Sequence, residues 1–160
     1  MPDDNTADLM LRVAKLEDIN EIQRLQADYA AACDDLYNPD RLCALFTADG
    51  VWDGGEQLGR FAGHDELHSF FGGAKDSFTW ALHFMVAPSI VVADDRHTAS
   101  GSWYLLEPAT LRDESGSTDD YWLASTYDIA YRNTPDGWRI EVMKLEPKMW
   151  AKHRDGWGAS

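Results

Sequence analysis

The sequence predicts an α+β fold, and three observations carry that expectation. Apolar residues recur every three or four positions from Leu9 to Cys33; two shorter helical patterns follow before Ser77; and four runs rich in Val, Ile, Thr, Trp and Tyr fill the remainder. Helices that come before a block of adjacent strands have to cover one face of the sheet those strands build. A curved, mostly antiparallel sheet packed around N-terminal helices is therefore expected.

Each element has a local reason. In the first helix Leu9, Val13, Leu16, Ile19, Ile22, Leu25, Tyr29, Ala32 and Cys33 form one apolar stripe, and a break near Asp18 would divide it in two. "NPDRLCALF" sets Pro39 in the first turn of a short second helix, which "TADG" ends. Val51 and Trp52 open a strand. "GHDELHSFFGG" reads as a third helix, with acidic residues at its positive end and a glycine pair at its close. Residues 78–93, 97–111, 119–132 and 137–149 then form an antiparallel meander whose turns are "ADDR", "RDESGST" and "NTPDG". No repeat or low-complexity linker divides the 160 residues, so a single domain over 1–160 is expected.

Composition narrows the partners. With 28 acidic against 14 basic residues the net charge is −14. That field repels nucleic acid and anionic membrane surfaces and disfavours highly phosphorylated ligands. No segment approaches the roughly 18 to 20 apolar residues of a membrane span. "MPDDNTAD" lacks the basic and apolar regions of a secretory signal. Cys33 and Cys43 are too few for a disulfide framework and not at metal-ligand spacing, which fits reduced core residues in a cytoplasmic protein. The expected partner is a small hydrophobic organic compound, with no nucleic acid and no membrane.

One titratable residue stands out. In "TWALHFMVAP" His83 is surrounded by Trp80, Leu82, Phe84, Met85 and Val86. If the strands around it and around "SWYLLE" form a hairpin centred on Asp95, His83 lies directly opposite Glu107. Opposed residues share a face with Cβ atoms about 4.5 to 5.5 Å apart, so the carboxylate reaches the imidazole. A bulge at Pro88 would shift the register by one and bring Leu106 opposite instead. "HDELH" puts His64 and His68 four apart on a helix but carries Asp65 where a zinc protease needs Glu, so no metal is expected. The glycines of "DGGEQLG" match neither a P-loop nor a dinucleotide fingerprint. Trp52, Trp80 and Trp150 are candidates for the wall of a pocket holding a flat ligand, and Met85 for a further substrate contact.

The order of elements, together with "IQRLQADYAAACDDL", "LFTADGVWDGG", "GRFAGHDELHSFF", "LHFMVAPSIVV", "TASGSWYLLEPAT" and "DGWRIEVMKLEP", resembles the SnoaL-like branch of the nuclear transport factor 2 superfamily over roughly residues 12–150. Within it the chain looks most like scytalone dehydratase, the bile acid 7-alpha-dehydratases and hexachlorocyclohexane dehydrochlorinase. The resemblance implies a cone-shaped barrel enclosing one deep pocket, partly extended termini outside that core, and a homo-oligomer, trimer over dimer. It implies no cofactor. It also implies a Tyr and an Asp from the end of the first helix and an essential His from the first long strand, at Tyr29, Asp34 and His83. An acidic residue after the "SWYL" segment corresponds to Glu107, and a basic residue on the last strand to Lys148. Scytalone dehydratase uses a second His on the middle strands, where this chain has Trp103 and Tyr104, a departure that argues against scytalone as substrate. Asp34 also reads as a helix cap, Asp35 takes its role if the alignment slips by one, and Tyr29 also reads as core packing.

The function these readings imply is a cofactor-independent, dehydratase-like lyase acting on a hydrophobic cyclic, polyketide- or steroid-like carbonyl compound. His83 would be the base, Asp34 its partner with Glu107 as a second candidate, and Tyr29 a donor to the enolate oxygen. Two alternatives stand beside it: a ketosteroid-isomerase-like proton transfer, and a noncatalytic ligand-binding domain.

Overall fold

The computed structural model describes residues 4–154, 156 and 157; the remaining ends of the expected 1–160 span, including Met1–Asp3 of "MPDDNTAD", lie outside that description. The chain runs α1 (Asp4–Asp34), α2 (Pro39–Cys43), β1 (Phe46–Asp53), α3 (Gly55–Leu58), β2 (Arg60–Ala62), α4 (Gly63–Ser77), β3 (Phe78–Ala81), β4 (Phe84–Val92), β5 (Thr98–Arg112), β6 (Thr118–Thr134) and β7 (Gly137–His153). The α+β class and the curled sheet packed on N-terminal helices agree with the expectation.

One seven-stranded sheet runs in the order β2-β1-β7-β6-β5-β3, with β4 also paired to β5. The β3, β4, β5, β6 and β7 pairings are antiparallel as expected, whereas β1 returns parallel to β7. Alternation sorts the side chains. Trp103, Leu105, Glu107 and Ala109 on β5, and Leu123, Ser125, Tyr127, Ile129 and Tyr131 on β6, face the helices and are buried. The main core joins Trp103, Leu105, Tyr127, Ile129 and Tyr131 to Ile22, Leu25, Tyr29, Ala32 and Cys33 of α1 and to Leu67 and Phe71 of α4, while Ala109 and Leu123 pack with Ala81 in a second cluster.

Four details correct the sequence reading. Helix α1 is continuous through Asp18, because that carboxylate is consumed elsewhere: it accepts from Arg96 Nε at 2.6 Å, Arg96 Nη2 at 3.0 Å and Trp138 Nε1 at 3.1 Å. The first part of its stripe is not core; Leu9, Val13 and Leu16 are exposed, and burial starts at Asp18. Strand β1 begins at Phe46 rather than Val51, and Gly55–Leu58 with β2 forms an unexpected helix-and-strand return. Gly54 there has no room for a side chain, since a Cβ would lie 2.7 Å from Trp52 Cη2.

The fourth correction positions the site. The expected strand over 78–93 is two strands, broken at Leu82 and His83. Next to the break Phe84 pairs with Leu106, Met85 with Leu105 and Val86 with Tyr104, which is the register that sets His83 level with Glu107. A bulge does occur between Val86 and Ser89, with Ala87 at φ 52°, so on the turn side Ser89 pairs with Ser102 and Val92 with Ala99, one residue out of step. Pro88 thus produces the bulge the sequence suggests, without displacing His83 from Glu107.

Candidate active site

His83 sits in the strand break, so its backbone N–H is not spent on the β5 ladder. That N–H donates to Oδ1 of Asp34, the last residue of α1, at 2.9 Å. The same oxygen lies 2.9 Å from His83 Nδ1. Two bonds to one carboxylate oxygen fix both the backbone and the ring plane. With Nδ1–H facing a carboxylate, Nε2 is the nitrogen left to take a proton. It lies 3.4 Å from the Tyr37 hydroxyl and 3.7 Å from Glu107 Oε1. The His83 side chain is 3% exposed and that of Glu107 8%, against 30% for Asp34, so the dyad is wet only on its carboxylate side.

Tyr37, His83 and Glu107 line a cavity of about 310 Å³. Ser125 adds a hydroxyl to the lining, and the other walls are apolar: Trp52, Leu58, Phe70, Phe71, Phe78, Leu123, Leu145, Pro147 and Trp150, with Tyr29 and Tyr127. On α4 the lining residues Gly73, Ala74 and Ser77 are small and leave the volume open. Phe70 stacks on Phe61 at a ring distance of 4.1 Å and leans on Trp52 at 4.5 Å, so its ring is held between two other aromatics. No Lys or Arg occurs among the described lining residues, so nothing there complements a carboxylate or phosphate.

Burial sets the proton affinities. Glu107 has its pKa raised, because loss of water outweighs the lowering effects of His83 and of the bond from Tyr37; Asp34 adds a smaller push upward. Burial, reinforced by Glu107, raises the Tyr37 hydroxyl well above its usual value, and burial with Cys33 and Tyr127 close by does the same to Tyr29. Both phenols therefore keep their protons and act as donors.

The expected site residues fall as follows. His83, Asp34 and Glu107 come together, and Tyr29 and Trp52 line the same cavity. The Tyr29 hydroxyl accepts from Trp52 Nε1 at 3.2 Å, and the phenol beside His83 is Tyr37. Met85 faces the helices but packs into the core rather than the cavity, because it pairs with buried Leu105. Lys148 does not line the cavity; its ammonium pairs with Glu146 Oε1 at 2.6 Å. Of the other aromatics considered, Trp150 lines the cavity, whereas Trp80 leans on Trp157. Trp103 donates to the Tyr131 hydroxyl at 3.1 Å, and Tyr104 is exposed on the opposite face. His64 Nε2 meets the Phe46 carbonyl at 3.3 Å and His68 Nε2 meets Asp40 at 3.0 Å, so the two turn to separate partners. Asp35 pairs with Arg41, away from His83. Tyr37 was not legible because the residue lies past the helix, and its direction depends on the left-handed turn there.

A family model described as a SnoaL-like domain matches residues 14–144. The chain belongs to the SnoaL-like domain family. A protein of Mycobacterium tuberculosis described only as uncharacterized is 29% identical over 143 residues, covering 89% of this chain and 93% of that one. Among solved structures, an aromatic ring hydroxylase-like protein of Novosphingobium aromaticivorans superposes with a TM-score of 0.76 at 24% identity, over 86% of this chain and 94% of that one. A scytalone dehydratase-like protein of the same organism gives 0.75 at 19%, over 88% and 90%. A type 3 hexachlorocyclohexane dehydrochlorinase of Novosphingobium barchaimii gives 0.77 at 15%, over 94% and 98%. At these identities the likeness is one of fold, and the three names cover different chemistries. No helix among the described residues is long and apolar enough to cross a membrane.

Proposed function

We propose that this SnoaL-like protein is a single-domain lyase of the dehydratase type, acting on an uncharged, hydrophobic, cyclic carbonyl compound of polyketide- or steroid-like shape. The observation that carries the reading is that His83, held by Asp34, lines a largely apolar cavity together with Glu107. His83 Nε2 removes a proton from the carbon next to the carbonyl, and Asp34 stabilises the imidazolium that forms. Tyr29 is assigned to the enolate oxygen as charge builds there. Glu107, whose pKa burial raises, is assigned as the acid that gives its proton to the departing hydroxyl. A base and an acid separated by environment in this way suffice for elimination without a cofactor. The absence of Lys and Arg from the described lining favours a neutral substrate over an acyl phosphate or a free acid.

The same proposal includes a cytoplasmic location, favoured by two buried free cysteines, and a homo-oligomer, trimer over dimer. Its support is a patch on the sheet face turned from the helices, where the cross-strand pairs Phe84–Leu106 and Val86–Tyr104 are all exposed.

The test is product analysis with a β-hydroxytetralone, a bicyclic β-hydroxy ketone that becomes a fluorescent naphthol on losing water. Naphthol formed above the buffer rate supports elimination. A product of unchanged mass would mean isomerisation, and unchanged compound that nevertheless binds would mean a noncatalytic ligand domain.

A further inference from the structure

Tyr37 has no part in the chemistry so far, yet its geometry is the least ordinary in the cavity. Its hydroxyl donates to Glu107 Oε1 at 3.1 Å and lies 3.4 Å from His83 Nε2, bridging two groups that are themselves 3.7 Å apart. The ring stands edge-on to His83 at 5.5 Å and leans on Phe78 at 5.4 Å, so it has one orientation. The backbone that delivers it is strained. Leu36 and Tyr37 both adopt left-handed conformations, at φ 52° and 54°, and neither is the Gly or Asn that such positions favour. The turn also ends α1, with Tyr37 N–H donating to the Cys33 carbonyl at 2.9 Å and Asn38 N–H to that of Ala32 at 3.0 Å. A glycine would make that cap without strain. What these two residues add is a phenol aimed between the base and the buried acid, and strain of this kind concentrates at functional sites.

The proposed elimination leaves a problem of protons. After one turnover His83 carries the proton taken from carbon, and Glu107 has lost its own to the departing water. Both side chains are almost fully buried, so exchange with solvent is slow to reset them. We propose that Tyr37 is the proton relay between His83 and Glu107. Its hydroxyl accepts the proton on His83 Nε2 as it passes its own to Glu107 Oε1. His83 and Glu107 return to their neutral forms, Tyr37 ends unchanged, and the net reaction is loss of one water from the substrate. This inference rests on the lyase reading above.

The experiment compares two probes in the full-length protein. The β-hydroxytetralone needs both a base and a proton for its hydroxyl. Nitrobenzisoxazole needs only a base, since its ring opens to a stable phenolate. Tyr37→Phe should lower steady-state turnover of the tetralone about 10- to 10³-fold, the range of one proton-transfer or donor contribution. It should lower turnover of the benzisoxazole no more than about threefold, on the same scale of reasoning. The tetralone progress curve should then show a burst of one naphthol per site followed by a slow phase, because the first turnover uses the proton already on Glu107. Glu107→Gln removes the relay's terminus, and Tyr37→Phe added to it should cost little more than Glu107→Gln alone. Equal losses on both probes would reduce Tyr37 to a packing residue and overturn the relay, as would a double variant in which the two losses multiply. A wild-type protein that turns over both probes while Tyr37→Phe matches it on both also overturns the relay alone. A wild-type protein inactive on both overturns the lyase reading and the relay with it.

Discussion

Replacing Asp34 by Asn isolates the charge in the Asp34–His83 pair. Asn keeps an oxygen where Oδ1 accepts from the His83 backbone N–H and ring, both at 2.9 Å, so the fold and the ring position survive. What disappears is attraction between a carboxylate and the imidazolium formed during proton abstraction. Unit charges about 4 Å apart at an effective dielectric near 20 interact by roughly 4 kcal/mol. Asp34 is 30% exposed, and water on that side weakens the attraction to about 2 to 4 kcal/mol. That range predicts a fall in kcat of about 30- to 10³-fold on nitrobenzisoxazole, with any additional tautomer error acting in the same direction. The assay is stopped-flow absorbance on protein whose melting temperature has been shown to stay within about 3 °C of wild type, a shift under ~1 kcal/mol. A folded Asp34→Asn protein with kcat within about twofold of wild type would refute the electrostatic argument.

Glu107→Gln should lower activity yet stabilise the fold at neutral and higher pH. A carboxyl whose folded pKa is raised contributes stability that is full below its unfolded value of 4.5 and is lost as pH rises through the folded value. Gln has no proton to lose, so thermal melts should favour the variant at about pH 8 and converge near pH 4. Asp18→Ala should cost about 1 to 3 kcal/mol in urea unfolding, because it strands the buried Trp138 indole N–H. Asp18 has the opposite sign to Glu107. The bonds from Arg96 hold its carboxyl below 3.8, so its contribution is present above that pH and lost as pH falls through the lowered folded value. Sedimentation of Tyr104→Lys should move the protein toward monomer with unchanged circular dichroism; a wild-type protein already monomeric at micromolar concentration would contradict the proposed assembly.

Much of the site was legible because periodicity and register are written in single residues. Alternation along "SWYLLE" and a turn at "ADDR" were enough to bring Glu107 level with His83, and the family pattern supplied Asp34 at the end of α1. The unread parts have physical causes. A strand break at Leu82–His83 carries no Gly or Pro to announce it, and within it the His83 N–H donates to Asp34 across the fold. Two consecutive left-handed non-glycine residues oppose local propensity, so only tertiary contacts reveal Tyr37. Apolar spacing at Leu9, Val13 and Leu16 marks a helix correctly but cannot say which turns of it meet the sheet. Lys148 illustrates the limit of pattern matching, since irregular register between Ala124 and Ser125 on the β6–β7 ladder interrupts the alternation from which its facing would be read.

The proposed lyase chemistry depends on His83 as the base that removes a carbon-bound proton inside this cavity. It is tested most directly by the rate of naphthol formation from β-hydroxytetralone carrying hydrogen or deuterium on the carbon beside the carbonyl, with wild type and His83→Ala compared. With His83 as the base, wild type turns over the deuterated compound more slowly, and a folded His83→Ala protein loses about 10² to 10⁴-fold in rate. A folded His83→Ala protein that keeps both the isotope effect and a rate within about tenfold of wild type would contradict it.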